Sequence, residues 1–183
     1  MKPQAGFTLI ELLVTVSVLA VLLTIAVPSF QNAFTINRVS SAAVDFNTAL
    51  NLARSEAVRQ GVRITLLSTS GNNDWSAGWT MFADLDADNT LDAGETVLRR
   101  GNAMPANVTL RSSAGINSTL AFTPTGRVNS AGIFAMCNNN ALIDAKLVIV
   151  NNVGRIRGGL DSDGNRIPET DAGTNLTDCA NPS

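Results

Sequence analysis

Histidine is absent from all 183 residues. That removes Ser-His-Asp and Cys-His catalysis and every histidine-ligated metal site. Tyrosine is absent as well, and the only cysteines are Cys137 and Cys179. No nucleophile–base pair can be assembled from what remains, so an enzyme is not expected. There is no run of positive charge to speak of. The formal charge is −2 and the isoelectric point is near 5.0, so any contact with nucleic acid must come from a local patch. Internal repeats and low-complexity tracts are missing too.

What the chain does have is an apolar run, Phe7–Ala26, broken by one acid, Glu11. About 20 such residues cross a bilayer as a helix. An acid inside the run costs roughly 2.5–3.5 kcal/mol on insertion scales, which suggests a function and a specific partner for it. Lys2 favours keeping the short segment ahead of the run in the cytoplasm. A secretory signal peptide has a shorter apolar core and a small-x-small cleavage site, and a plain membrane anchor leaves Glu11 unexplained. Beyond the anchor there is room for one soluble domain of about 120–130 residues. If the anchor places that domain outside the cytoplasm, Cys137 and Cys179 lie in an oxidising compartment. Their even number, with no further ligands, then favours a disulfide over a metal or catalytic role.

Helical periodicity continues past the apolar run. Phe30, Phe34, Val39, Ala43, Phe46, Leu50, Ala53 and Ala57 recur mostly at three- and four-residue spacing, which defines one apolar face. Arg38, Asp45, Arg54 and Glu56 fall largely between them. Pro28 should kink the helix and Gly61 should stop it, so we expect helix over Phe7–Gln60. Short strands are expected at Arg63–Ser68, Trp79–Phe82, Glu95–Arg99, Val108–Arg111, Thr119–Phe122, Gly132–Cys137 and Lys146–Val150. Each is rich in β-branched or aromatic residues, and Gly, Asn, Asp and Ser clusters separate them. From Gly158 onward loop is expected.

Gly6, Phe7 and Glu11 together resemble the start of a type IV prepilin, whose leader ends in Gly and whose mature chain begins with Phe and carries Glu at its fifth position. Ala53-Arg54-Ser55-Glu56-Ala57, Gly78-Trp79 and the acidic stretch up to Gly94-Glu95 are similar to the minor pilins and pseudopilins of the GspH/FimT/FimU group. The resemblance implies an α+β pilin fold, a long N-terminal helix packed on small antiparallel β-sheets. It implies a leader at 1–6, a transmembrane helix half at 7–27 and an amphipathic half at 28–60. A β-rich domain at 61–157 and a loop region at 158–183 tied down by the disulfide follow.

Further implications are cleavage between Gly6 and Phe7 by a prepilin peptidase, N-methylation of Phe7, and pairing of Glu11 with the freed amine of a neighbouring subunit. The expected protein is a minor pilin held in the inner membrane with its C-terminal domain in the periplasm, then assembled with other pilins near the tip of an extracellular pilus. The alternative is a type II secretion pseudopilin of the GspH type.

Three segments carry candidate chemistry. Asp84, Asp86, Asp88, Asp92 and Glu95 are spaced like positions 1, 3, 5, 9 and 12 of a calcium loop, with Asn89 where the EF-hand has glycine. Strand-like flanks and the turn-forming habit of Asp and Asn favour a solvated acidic hairpin instead, so no cofactor is expected. Asp161, Asp163 and Asn165 form a shorter version. Gly154-Arg155-Ile156-Arg157 resembles the GRxR motif of FimT-type DNA-uptake pilins. Residues i and i+2 of a strand share a face about 6.6–6.8 Å apart, and guanidinium binds phosphate bidentately. Two readings of Arg155 and Arg157 stay open: contact with double-stranded DNA, or a solvated edge whose charge is diluted by Asp161, Asp163, Glu169, Asp171 and Asp178.

Overall fold

A computed structural model describes residues 8–170 and 173–183, apart from the side chains at positions 25, 27–29 and 32. The helix α1 spans Leu9–Gln60. Gly61 ends it in the left-handed region at φ +69°, with its N–H on the Ala57 carbonyl at 3.0 Å, the usual glycine stop. The expected cleavage residues Gly6 and Phe7, and the Pro28 side chain, lie outside the described residues.

The chain divides into two compact units, Met1–Asn37 and Arg38–Ser183. In the first, every large apolar side chain from Leu9 to Leu23 is at least half exposed, from 79% at Leu9 to 50% at Leu23. Among the described residues no helix is long and apolar enough to cross a membrane. The expected span begins at Phe7 and passes Ile25 and Val27, so only part of it is described. Phe30 and Phe34 are exposed as well, which corrects their expected place on the buried face. Both lie in the first unit, where that face has no wall to meet.

The second unit holds the core. Val39, Ala42, Phe46, Ala49, Leu50, Ala53 and Ala57 are buried, mostly three or four residues apart along one side of the helix. Ala42 and Ala49 join the expected face, and Ala43 is only partly buried. Small residues there let the sheets approach closely. The strands are β1 Arg63–Ser68, β2 Trp79–Asp84, β3 Val97–Gly101, β4 Val108–Ser112, β5 Thr119–Phe122, β6 Gly132–Asn138, β7 Ala141–Val150 and β8 Ile156–Gly158. They form two antiparallel sheets, ordered β3-β2-β1-β5 and β4-β6-β7-β8.

Two expected strand starts move for local reasons, while several strands run one or two residues past their expected ends. β3 starts later because Glu95 is occupied, its carboxylate accepting the N–H groups of Leu85 and Asp92. β7 starts earlier because Asn139 and Asn140, both at positive φ, close a two-residue hairpin with Asn138 opposite Ala141. Asn tolerates that geometry better than most residues.

The main core joins the helix face to both sheets. Phe46 lies at its centre, edge-on to Trp75 at 6.0 Å, Trp79 at 6.2 Å and Phe134 at 4.7 Å. A second, smaller cluster covers the other face of the β4-β6-β7-β8 sheet. There Ala135, Leu147 and Ile149 meet Ile167, Leu176 and Cys179 of the C-terminal region. A disulfide joins Cys137 to Cys179 across a sequence separation of 42, a loop worth about 4 kcal/mol on the chain-entropy account.

Replacing Phe46 with Ala should therefore cost about 3–5 kcal/mol, whereas Phe34→Ala should change the stability of the isolated chain by under about 0.5 kcal/mol. Chemical denaturation of the full chain in non-ionic detergent, followed by tryptophan fluorescence, checks both. Equal losses would show that Phe46 is not the centre of the core.

Candidate functional site

Glu11 sits at the start of α1 and has a local role. The Thr8 N–H and hydroxyl both donate to Glu11 Oε2 at 2.9 Å, and the Glu11 N–H donates to Thr8 Oγ1 at 3.3 Å. This is a reciprocal capping box. Its Thr-x-x-Glu spacing is a sequence signal of a helix start. The Glu11 side chain therefore satisfies the helix end through one oxygen.

The arginine motif lies at the edge of the second sheet. Val150 pairs with Ile156, and Ile149 with Arg157. The turn between them is closed by Gly154 N–H on Asn151 O at 2.8 Å and by Asn151 N–H on Arg155 O at 3.1 Å. Asn151 Oδ1 accepts the Arg155 N–H at 2.9 Å. Ile156 packs against the main core, so strand alternation puts Arg155 and Arg157 on the opposite side. Arg155 is exposed, and among the described residues no carboxylate forms an ion pair with it. Arg157 is half-buried, donates to the Gly158 carbonyl at 3.2 Å, and makes further contacts.

The acids expected to dilute this patch are partly engaged in their own loop. Asp161 accepts the N–H groups of Gly164 and Arg166, and Glu169 accepts from Ser162. Asp163 accepts from Asn165 and Asn175, and the Asn165 N–H holds its carboxyl below the usual range.

The sequence pattern places Arg54 between the apolar positions of the helix, but the structure does not leave it free in solvent. It is half-buried, and it donates from Nε to the Gly126 carbonyl at 3.0 Å and from its terminal nitrogen to the Val153 carbonyl at 3.4 Å. A helix residue thus supports the turn that presents Arg155. A Cβ at Gly154 would collide with the Gly126 carbonyl oxygen, and Gly154 adopts φ +77°. Glycine is required there on both counts.

The acidic loop brings carboxylate oxygens of Asp84, Asp86 and Asp88 within 4.8 Å of one another. Asp88 Oδ1 accepts the Thr90 N–H at 2.7 Å. Asn89, at φ +68°, takes the position where an EF-hand has glycine. The Asp88 carboxylate, then burial, Asp86 and Glu95, push Asp92 above its ordinary range. Asp84 itself is buried and leaves Oδ1 without a hydrogen bond. Its other oxygen accepts from Thr65 Oγ1 at 2.6 Å and faces Arg63 Nε at 3.2 Å. Arg63 also donates to the Asn89 side chain. A guanidinium therefore already supplies positive charge at the head of this loop, and a calcium ion would sit against it. Arg63 escaped the sequence reading because it precedes the loop by a whole hairpin.

Comparison with known proteins places this geometry. The profile described as "Type II transport protein GspH" matches residues 42–154, and the "Prokaryotic N-terminal methylation motif" matches residues 1–27. A "Fimbrial protein" of Pseudomonas aeruginosa is 35% identical over 86 residues, 47% of this chain and 55% of its own length. The chain thus spans about half the length of that relative. "Pilin-like protein PilA1" of Thermus thermophilus is 33% identical over 130 residues, 67% of this chain and 78% of its own length. The solved structure of the type IV minor pilin FimU of Pseudomonas aeruginosa superposes with a TM-score of 0.61 at 25% identity, covering 78% of this chain and 96% of that one.

Calcium should leave the melting temperature of the full chain unmoved, because Arg63 already counters the buried Asp84. Calorimetry in detergent with and without millimolar calcium checks this. A saturable rise abolished by Asp84→Asn with Asp86→Asn would establish a metal site.

Proposed function

Because this chain belongs to the GspH family of type IV minor pilins and pseudopilins, we propose that it is cleaved at Gly6-Phe7, held in the inner membrane with its β-rich domain in the periplasm, and built into a pilus as a minor subunit near the tip. One observation carries the assembly reading. The apolar side chains from Leu9 to Leu23 are exposed all round, and a helix apolar on every side needs lipid or other helices around it. The likeness to fimbrial proteins and to FimU supports a pilus over a secretion pseudopilus.

Glu11→Gln separates the two roles of this residue. Gln preserves the capping box and removes the charge that would meet a neighbour's amine. We expect normal membrane levels and leader cleavage with reduced incorporation into pili, read by immunoblotting sheared filaments. Wild-type incorporation would assign Glu11 to helix capping alone.

We further propose that the edge bearing Arg155 and Arg157 contacts duplex DNA through its phosphates. Support comes from the exposed, unneutralised Arg155 and from the inward anchoring of Ile156. Such binding is blind to sequence and falls with salt at a log–log slope of about −0.9 per phosphate. In the full chain in non-ionic detergent, changing both arginines to Gln should flatten that slope by roughly 1–2 units. A double variant that binds like wild type, or a wild type that does not bind at low salt, would leave the assembly role standing alone.

A further inference from the structure

The turn that carries Arg155 is packed against a second turn that carries another arginine. After β5, Thr123 to Arg127 form a tight reversal. Its bonds are the Thr123 N–H on Arg127 O at 2.8 Å, the Gly126 N–H on Thr123 O at 2.8 Å and the Arg127 N–H on Thr123 Oγ1 at 3.2 Å. Gly126 lies at φ +77° and is buried, while Arg127, the next residue, is exposed. The Gly126 carbonyl occupies the space a Gly154 side chain would need, so the two backbones touch there. Arg127 follows one side of this contact by one residue and Arg155 follows the other. At 3.8 Å per Cα step, their Cα atoms lie within roughly 10 Å of each other.

Arg54 fixes the pair of turns. It donates at once to Gly126 on one turn and Val153 on the other, so the helix clamps both. Like Arg155, Arg127 forms no ion pair among the described residues. Two exposed arginines therefore leave adjoining turns, and among the described residues neither is ion-paired to an acid, in a chain whose overall charge is negative. Two cations held close repel each other, and an anion that bridges them relieves the repulsion.

We infer that Arg127 is a further phosphate-binding residue of this protein, extending the interface of Arg155 and Arg157 onto the β5 turn. It contacts the backbone of the same DNA duplex. Arg54 is the positioning residue that holds the two turns in register. This inference rests on the DNA-binding reading proposed above and adds a residue that the four-residue motif does not contain.

The test measures duplex DNA binding by the full chain in non-ionic detergent over a salt series. Arg127→Gln should weaken binding at low salt and flatten the log–log slope by about 1 unit, the share of one phosphate. Arg127→Lys, which keeps the charge, should restore the slope. Arg100→Gln removes the same charge from β3, the opposite edge of the sheet whose β5 leads into the Arg127 turn, where Arg100 Nη1 meets Thr80 Oγ1 at 3.2 Å, and should leave the slope unchanged. If Arg155→Gln with Arg157→Gln flattens the slope but Arg127→Gln does not, Arg127 is overturned and the motif's role stands. An effect of Arg100→Gln equal to that of Arg127→Gln would also overturn the inference, since any lost charge would then suffice. If the wild-type chain fails to bind at low salt, both readings fall together.

Discussion

The second unit depends on one side chain. Phe46 reaches from the helix to Trp75, to Trp79 on the first sheet and to Phe134 on the second. Trp75 and Phe134 also meet edge-on at 5.1 Å, and the Trp75 indole N–H is satisfied by the Asn117 carbonyl at 2.8 Å. Each edge-on pair adds about 0.5–1.5 kcal/mol beyond the area it buries. The larger consequence is geometric. Two small sheets that share no strand pairing need a common wall, and the ring of Phe46 with the alanines around it provides one. Everything placed on the sheets, including the strand edge with Arg155, takes its position from that wall.

The first unit shows the opposite condition. Its large apolar side chains from Leu9 to Leu23 have nothing of their own chain to cover them. In water this would be a liability. Under the assembly role proposed above, it is the means by which the subunit sits first in lipid and then among other helices. The capping box of Thr8 and Glu11 fits that life, because it satisfies backbone donors at the helix start without help from water.

The C-terminal region illustrates how a segment poor in regular structure is still ordered. Its apolar residues Ile167, Leu176 and Cys179 plate the outer face of β6 and β7, and the disulfide to Cys137 keeps them there. Asp161, Asp163 and Glu169 fold back onto backbone N–H groups of the same loop. Three of the five acids that rival the arginines in sequence thus accept hydrogen bonds within the loop, while Asp171 lies outside the described residues.

The sequence alone determined the helix, its stop at Gly61, the positions of seven strands and the family. Those features rest on short-range periodicity and on residues with one strong local preference, so they survive without knowledge of the fold. The capping box and the Asn139-Asn140 hairpin were equally local and could have been read. Tertiary structure decided the rest. Only the fold shows that Phe30 and Phe34 stay exposed while Ala42 and Ala49 are buried, because periodicity marks a face without marking where its covering ends. Only the fold joins Arg63 to Asp84 and Asn89. Arg54 meets Gly126 and Val153 across sequence separations of 72 and 99 residues. No spacing rule links such distant positions, since chain folding, and not local preference, brings their backbones together.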